Sequence, residues 1–296
     1  MDAPTATFIQ IMRDRVNSLR EAGNLSEALH AASAAVEKCQ SLLSTDPDSV
    51  DAFATSLEER ARINLELGEV HDAVEDTEHA IDQLDNRPDR VGRVGRLYAL
   101  MGAAYDKGGD HDKVLESWQK AMVLFESHEP PMMMDLAWMA NNLGFFEKAA
   151  GDLAKAEDYF LKALEVMHSE MGAKHEETAA VCNNLGAVYL AAGYYEQARE
   201  MHMMALEVRR ELFGEAHPDT AQSHNNLALA LLQTGDRAWA RRHFEKALSG
   251  YESLGLEYAE DLEAVAENYC DFLKEEGEEN LSEVIAGRVK ELLALG

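Results

Sequence analysis

The sequence predicts an all-α, right-handed superhelical solenoid of about seven helical hairpins, each close to 42 residues long. Three observations predict it. First, the stretch from His217 to Ala247 repeats the one from His175 to Ala205, with Asn225, Asn226, Leu227, Gly235 and Ala240 matching Asn183, Asn184, Leu185, Gly193 and Ala198. Second, a glycine recurs at Gly23, Gly68, Gly109, Gly151, Gly193, Gly235 and Gly277, with spacings of 45, 41, 42, 42, 42 and 42. Third, mostly small residues follow each glycine at fixed offsets: Ala28, Ala73, Val114, Ala156, Ala198, Ala240 and Ser282 after five, and Ala35, Ala80, Ala121, Ala163, Ala205, Ala247 and Val289 after twelve. A fixed period of this size marks a stacked array whose units share one core.

The offsets justify the elements. Positions seven residues apart lie about two helical turns apart on one face, so the alanines let a second helix approach closely. The glycine supplies the left-handed turn that ends the first helix. Asn24, Asp110, Asp152 and Asp236 follow it directly and are suited to cap the second. Each unit therefore reads as helix, tight turn and antiparallel helix.

Along the chain, residues 1–128 hold three divergent units, with Arg13/Asp14, Glu58/Glu59 and Ala99/Leu100 where later units carry an Asn pair. Gly102, Tyr105 and Trp118 keep core places in the third. A Pro-broken connection covers residues 126–134. Residues 129–254 form the regular block, with pairs Asn141/Asn142, Asn183/Asn184 and Asn225/Asn226. Residues 255–296 keep only Asn268 of the pair, and their last helix, about 280–294, mixes apolar and charged residues as a solenoid cap should.

This pattern resembles the tetratricopeptide repeat, stretched from its usual period of about 34 residues. Units that carry Asn-Asn-Leu-(Ala/Gly) and open with Leu-Gly-x-x-His-Pro resemble those of kinesin light chains. Phe213, Gly214, His217 and Pro218 reproduce that opening, and Met171, Gly172 and His175 most of it. Eukaryotic light chains also carry a heptad segment for the motor heavy chain. No sustained heptad lies outside the repeats here, so the array-only chain is similar to the bacterial kinesin light chains that accompany bacterial tubulins. The resemblance implies a protein partner, with a bacterial tubulin polymer as its sharpest form.

Charge excludes other classes. With 55 acidic against 27 basic residues, net charge −28, neither nucleic acid nor an anionic lipid surface is expected as a partner. No apolar run reaches the roughly 18 residues a membrane-spanning helix needs. The chain opens without a basic segment followed by an apolar core. Cys39, Cys182 and Cys270 are odd in number and far apart, which reads as reduced thiols in a cytoplasmic protein. No catalytic spacing, phosphate loop or zinc spacing of histidines is present, so neither enzymatic activity, cofactor nor metal is expected. Oligomeric state is left open; a monomer is compatible with the pattern.

Two surfaces are candidates for binding. The first helices of a right-handed stack line its concave face. Positions ten, six and three before the ruler glycine give Asn141, Phe145 and Lys148, then Asn183 and Leu190, then Asn225 and Leu229, with Trp138 and Gln222 one turn earlier. Asn is both donor and acceptor, so a ladder at one-repeat spacing can hold the backbone of an extended peptide. In kinesin light chains the equivalent residues do so, which the resemblance carries to Asn141, Asn183 and Asn225. The same amides could instead lock neighbouring repeats in register, above all Asn142, Asn184 and Asn226. The second surface is a basic stripe, Arg90, Arg93 and Arg96, which faces either an acidic partner or acidic residues of the second unit such as Glu75 or Asp82.

Overall fold

The computed structural model describes residues 3–84 and 87–294. Among these residues there are fourteen α-helices and no strand, so the fold is an all-α repeat solenoid. Contacts divide the chain into two compact units, Met1–Met139 and Ala140–Gly296, with the boundary inside one helix.

In the first unit, α1 (Ala3–Glu21) and α2 (Leu25–Ser41), α3 (Pro47–Leu67) and α4 (Val70–Leu84), and α5 (Val91–Gly108) and α6 (His111–Ser127) form three hairpins. Each hairpin packs on the next through α2 against α3 and α4 against α5. Helix α7 (Met133–Ala149) contains the boundary. The second unit continues with α8 (Leu153–Met171), then the hairpins α9 (Glu176–Ala192) with α10 (Tyr195–Phe213), α11 (Pro218–Gln233) with α12 (Arg237–Leu254), and α13 (Ala259–Glu275) with α14 (Glu279–Leu293).

All seven ruler glycines have positive φ, between 74° and 86°. At Gly193, with φ 82°, the amide bonds back to the Leu190 carbonyl at 3.2 Å and closes α9. An L side chain there would be strained, which is why the ruler survives where other repeat positions diverge. The expected caps divide. Asp110 and Asp152 accept from the backbone N–H of Lys113 and Lys155, at 3.3 and 3.1 Å. Asn24 and Asp236 make no side-chain cap bond, and Asp236 lies 3.7 Å from Arg199 instead.

The opening Gly-x-x-His also has a physical reading. Gly172 and Gly214 have φ of 90° and 84° and end α8 and α10. His175 and His217 then cap α9 and α11, their Nδ1 atoms accepting from Glu177 N–H at 3.2 Å and Asp219 N–H at 3.3 Å. The His217 ring stacks on Phe213 at 4.3 Å between centroids.

Close packing within hairpins depends on matched volumes. In three hairpins a glycine seven before the ruler glycine faces a ring nine after it. The pairs are Gly102 with Trp118, Gly144 with Phe160 and Gly186 with His202. A Cβ on Gly144 or Gly186 would fall 2.7 or 2.8 Å from the opposing ring, so these two rings, where they sit, leave no room for a side chain across the hairpin. Where the second residue shrinks to Thr77 or Ala32, the first grows to Ala61 or Val16, and all four are buried.

Candidate functional site

The Asn pairs sit on the first helices α7, α9 and α11 of the second unit, and the single Asn268 on α13. Asn184 Nδ2 donates to Asn141 Oδ1 at 3.1 Å, Asn226 to Asn183 at 2.9 Å and Asn268 to Asn225 at 3.2 Å. Each second member therefore reaches back 43 residues to the first member of the preceding repeat. One carboxamide rung joins each successive pair of first helices. Asn142, which begins the run, is exposed, and 43 residues before it the chain has Ala99.

The first members differ in what they leave free. Asn183 is buried at 8% exposure, and its Oδ1 also faces His202 Nδ1 at 3.2 Å. Burial, then the nearby Lys148 charge, push His202 down to about 4, so it is a neutral imidazole. The Asn183 oxygen is thus occupied twice within the fold. Asn141 and Asn225 are half-buried, each with one rung bond and, among the described residues, no partner for its own Nδ2. Beside them Phe145 is 46% exposed while its ring packs edge-on against Phe160 at 5.5 Å. Lys148 is half-buried. Leu190 is half-buried, and Leu229 packs against the core shared by α10 to α14. Gln222 is exposed, 3.5 Å from the buried guanidinium of Arg209, which also bonds Glu176, Ser223 Oγ and the Asp219 carbonyl. Trp138, at the end of the first unit, is 46% exposed.

The basic stripe is resolved differently. Arg90 makes two bonds to Asp51. Arg93 bonds Thr55 Oγ1 at 2.6 Å and lies 3.6 Å from Asp51 and 3.5 Å from Glu58. Arg96 pairs with Asp135 at 2.7 and 3.2 Å. Their acidic partners are therefore Asp51 and Glu58 of α3 and Asp135 of α7, and not Glu75 or Asp82. Arg90 closes a short 3-10 turn, Pro88–Arg90, ahead of α5, and so its side chain turns to α3 with that of Arg93. Arg96 remains the most open of the three, at 56% side-chain exposure.

The cysteines are buried, and burial pushes the Cys182 thiol up to about 11 and raises that of Cys39, which keeps both neutral and poor nucleophiles. Among the described residues, His71, Asp72 and Glu75 bring ligand atoms within 4.8 Å of one another. All three are exposed side chains of one stretch of α4, and no residue from another element completes the set. Among the described residues, no helix is long and apolar enough to cross a membrane.

With this geometry in view, the comparisons with known proteins fit together. The tetratricopeptide-repeat family profile matches residues 135–210 and 182–253, the block that carries the Asn rungs. The crystal structure of BtubC (BKLC) from P. vanneervenii is similar at 26% identity and TM-score 0.67, over 78% of this chain and 92% of that one. Nearly identical TPR-like repeats of a Podosopora anserina kinesin light chain share the fold at 18% identity and TM-score 0.56, over 68% and 95%. So does the apo form of RapI, at 14% identity and TM-score 0.68, over 97% and 99%. No curated protein matches the chain significantly in sequence. Residues 135–253 are thus matched by the tetratricopeptide-repeat family, and the chain as a whole has the fold of such repeat solenoids. Among such proteins it is similar to the kinesin-light-chain-like BtubC (BKLC).

Proposed function

We propose that this protein is a non-catalytic binding scaffold that associates with bacterial tubulin polymer, in the manner its resemblance to bacterial kinesin light chains implies. The similarity to BtubC (BKLC) over 78% of this chain carries the reading. Two surfaces are available for it. On the first-helix face of the second unit, Asn141 and Asn225 keep free amide donors beside exposed Phe145, and Lys148 adds a positive charge. The Arg stripe contributes chiefly through Arg96, which is paired with Asp135 but is far more exposed than Arg90 and Arg93.

A pelleting assay against assembled bacterial tubulin, with unassembled tubulin as control, tests the reading. Saturable pelleting with polymer alone is the expected result; none at concentrations of about 10 µM, where a working complex would be populated, sinks it. Phe145→Ala with Lys148→Glu, and Arg96→Ala, then assign the surface. Charge reversal at Arg90 or Arg93 is unsuitable, because it would strand Asp51.

A second reading is favoured by the exposed aromatic beside free amides: an adaptor that holds an extended segment of a partner along the first-helix face. It predicts capture of a peptide that Phe145→Ala and Asn225→Ala weaken while tubulin does not pellet the protein.

A further inference from the structure

The opposite side of the second unit carries a feature that neither the repeat pattern nor the tubulin reading uses. Between the second helices α10 and α12 lies an open cavity of about 610 Å³, within the usual size of a ligand pocket. Its floor is Leu227, Leu231 and the imidazoles of His224 and His243. Its walls are apolar and exposed: Trp239 at 55% and Met203 at 52%. Large apolar side chains left open together in this way mark an interaction site more often than an isolated exposed residue does.

The floor is uncharged for a structural reason. Glu215 faces His224 Nε2 at 2.9 Å, which fixes the proton of His224 on that nitrogen. His224 Nδ1 is then an acceptor, and His243 Nδ1 donates to it at 2.7 Å. The chain of bonds runs from His243 through His224 to Glu215, and Lys246 balances the carboxylate at 3.1 Å. Burial is the main cause that holds both imidazoles below their ordinary range.

The rim is charged, and its charge runs against that of the chain. Four basic and two acidic residues line the cavity, where the whole chain has 27 and 55. Arg199 is committed to Glu196 at 2.9 Å. Arg210 and Arg242 have no carboxylate partner among the described residues, although the chain is rich in carboxylates; Arg242 lies over the Trp239 ring at 4.9 Å. Two unpaired guanidiniums over an apolar, uncharged floor are complementary to a ligand with a bulky apolar side chain flanked by carboxylates.

We infer that the α10–α12 face is a second docking site, which takes an acidic linear segment of another protein, anchored by one large apolar side chain against Trp239 and Met203 and held by Arg210 and Arg242. This site is separate from the first-helix face, so it stands or falls independently of tubulin binding.

The test uses the full chain and a fluorescein-labelled twelve-residue peptide with one central leucine flanked by aspartates and glutamates. Anisotropy and Trp239 fluorescence are both read. The expected result is saturable binding that weakens at least about tenfold with Arg210→Glu/Arg242→Glu, and similarly with Trp239→Ala or when the peptide's acids become amides. Phe145→Ala on the other face should leave it unchanged. Circular dichroism checks folding; both arginines are exposed and, among the described residues, without a carboxylate partner, so the variants should keep the wild-type melting curve. Equal binding by the double variant, or no binding up to about 1 mM peptide, overturns the inference. So does sedimentation showing that wild type self-associates through this face and the double variant does not, since a second copy would then be the occupant.

Discussion

The two units solve one problem with different chemistry. In the second, successive first helices are joined by carboxamide rungs, Asn141 to Asn184, Asn183 to Asn226 and Asn225 to Asn268. In the first, the residues at the same repeat positions are Arg13 and Glu59, and they too meet, at 2.7 Å. The rung survives while its chemistry changes from amide to ion pair. A carboxamide is satisfied by one neighbour and still offers a donor outward; an ion pair consumes both charges and offers little to a partner. The second unit therefore combines register with a surface able to bind, whereas the first chiefly holds itself together. Its arginines follow the same rule, with Arg90, Arg93 and Arg96 all answered by Asp51, Glu58 and Asp135.

The comparison breaks most severely at the buried charges. Arg209 is 5% exposed in the second unit, and Asp76 is 2% exposed in the first, held by Arg60 at 2.8 and 2.5 Å and by Asn64 at 3.3 Å. Removing one partner leaves the other without its counter-charge, fully buried for Asp76 and partly buried for Glu176. Arg209→Ala leaves Glu176, which burial already pushes up, with no compensating cation. Arg60→Ala leaves Asp76 in the same position. Arg60→Ala should cost about 3–5 kcal/mol by urea unfolding and Arg209→Ala somewhat less, about 2–4 kcal/mol, because Glu176 keeps some solvent. A cost below about 1 kcal/mol at either would mean that water reaches the remaining charge.

Next come the packed glycines. Gly102→Ala would drive a methyl into the Trp118 indole, whose Nε1 donates to the Ala99 carbonyl at 3.1 Å. Overpacking should cost about 1–3 kcal/mol, less roughly 1 gained in helix propensity. Adding Trp118→Phe should recover most of the loss, because Ala228 and Phe244 already share a hairpin, both fully buried. Failure of the second change to rescue would show that indole hydrogen bonding, and not volume, fixes the pair.

How far all this was legible in the sequence depends on period and on chemistry. The hairpins were readable because positive-φ glycines and close-contact alanines recur at one spacing, and physics leaves few substitutes for either. The Asn rungs were readable as positions, but their direction was not: which amide donates depends on side-chain geometry. The Arg13–Glu59 rung was hidden because the repeat pattern registers it only as a lost Asn pair. The partners of Arg90 and Arg93 were hidden too, since the turn at Pro88–Arg90 aims them at α3 and not α4. The α10–α12 cavity could not be seen at all: it needs second helices from two repeats and a floor from a third helix.

His202 sharpens the comparison through pH. Its folded value, about 4, is below the ordinary 6.5, so the unfolded chain binds the proton first as pH falls. Stability from this group is complete above about 6.5 and is lost between there and about 4. Replacing it with Phe, as at Phe160 and Phe244, should flatten the stability curve over that window by up to about 1.4 kcal/mol per pH unit. An unchanged slope would mean that His202 is protonated in the fold and that the Asn183 bond is charge-assisted.

The smallest effects test the rungs themselves. Asn226→Ala should cost about 1 kcal/mol, the net value of one half-buried amide bond, and the cost should not change with salt. Arg13→Gln with Glu59→Gln should cost about 0.2–1 kcal/mol, because Arg13 is 39% exposed and its partner 13%. That coupling, taken from a double-mutant cycle so that the general repulsion among 55 acidic residues cancels, should shrink by more than half between about 0.05 and 1 M salt. If the Asn183–Asn226 coupling shrank equally, the two rungs would share an electrostatic origin and the contrast between the units would be one of sequence only. If neither shrank, the Arg13–Glu59 bond would be shielded from ions, and the first unit would be as firmly registered as the second, with its charges out of any partner's reach.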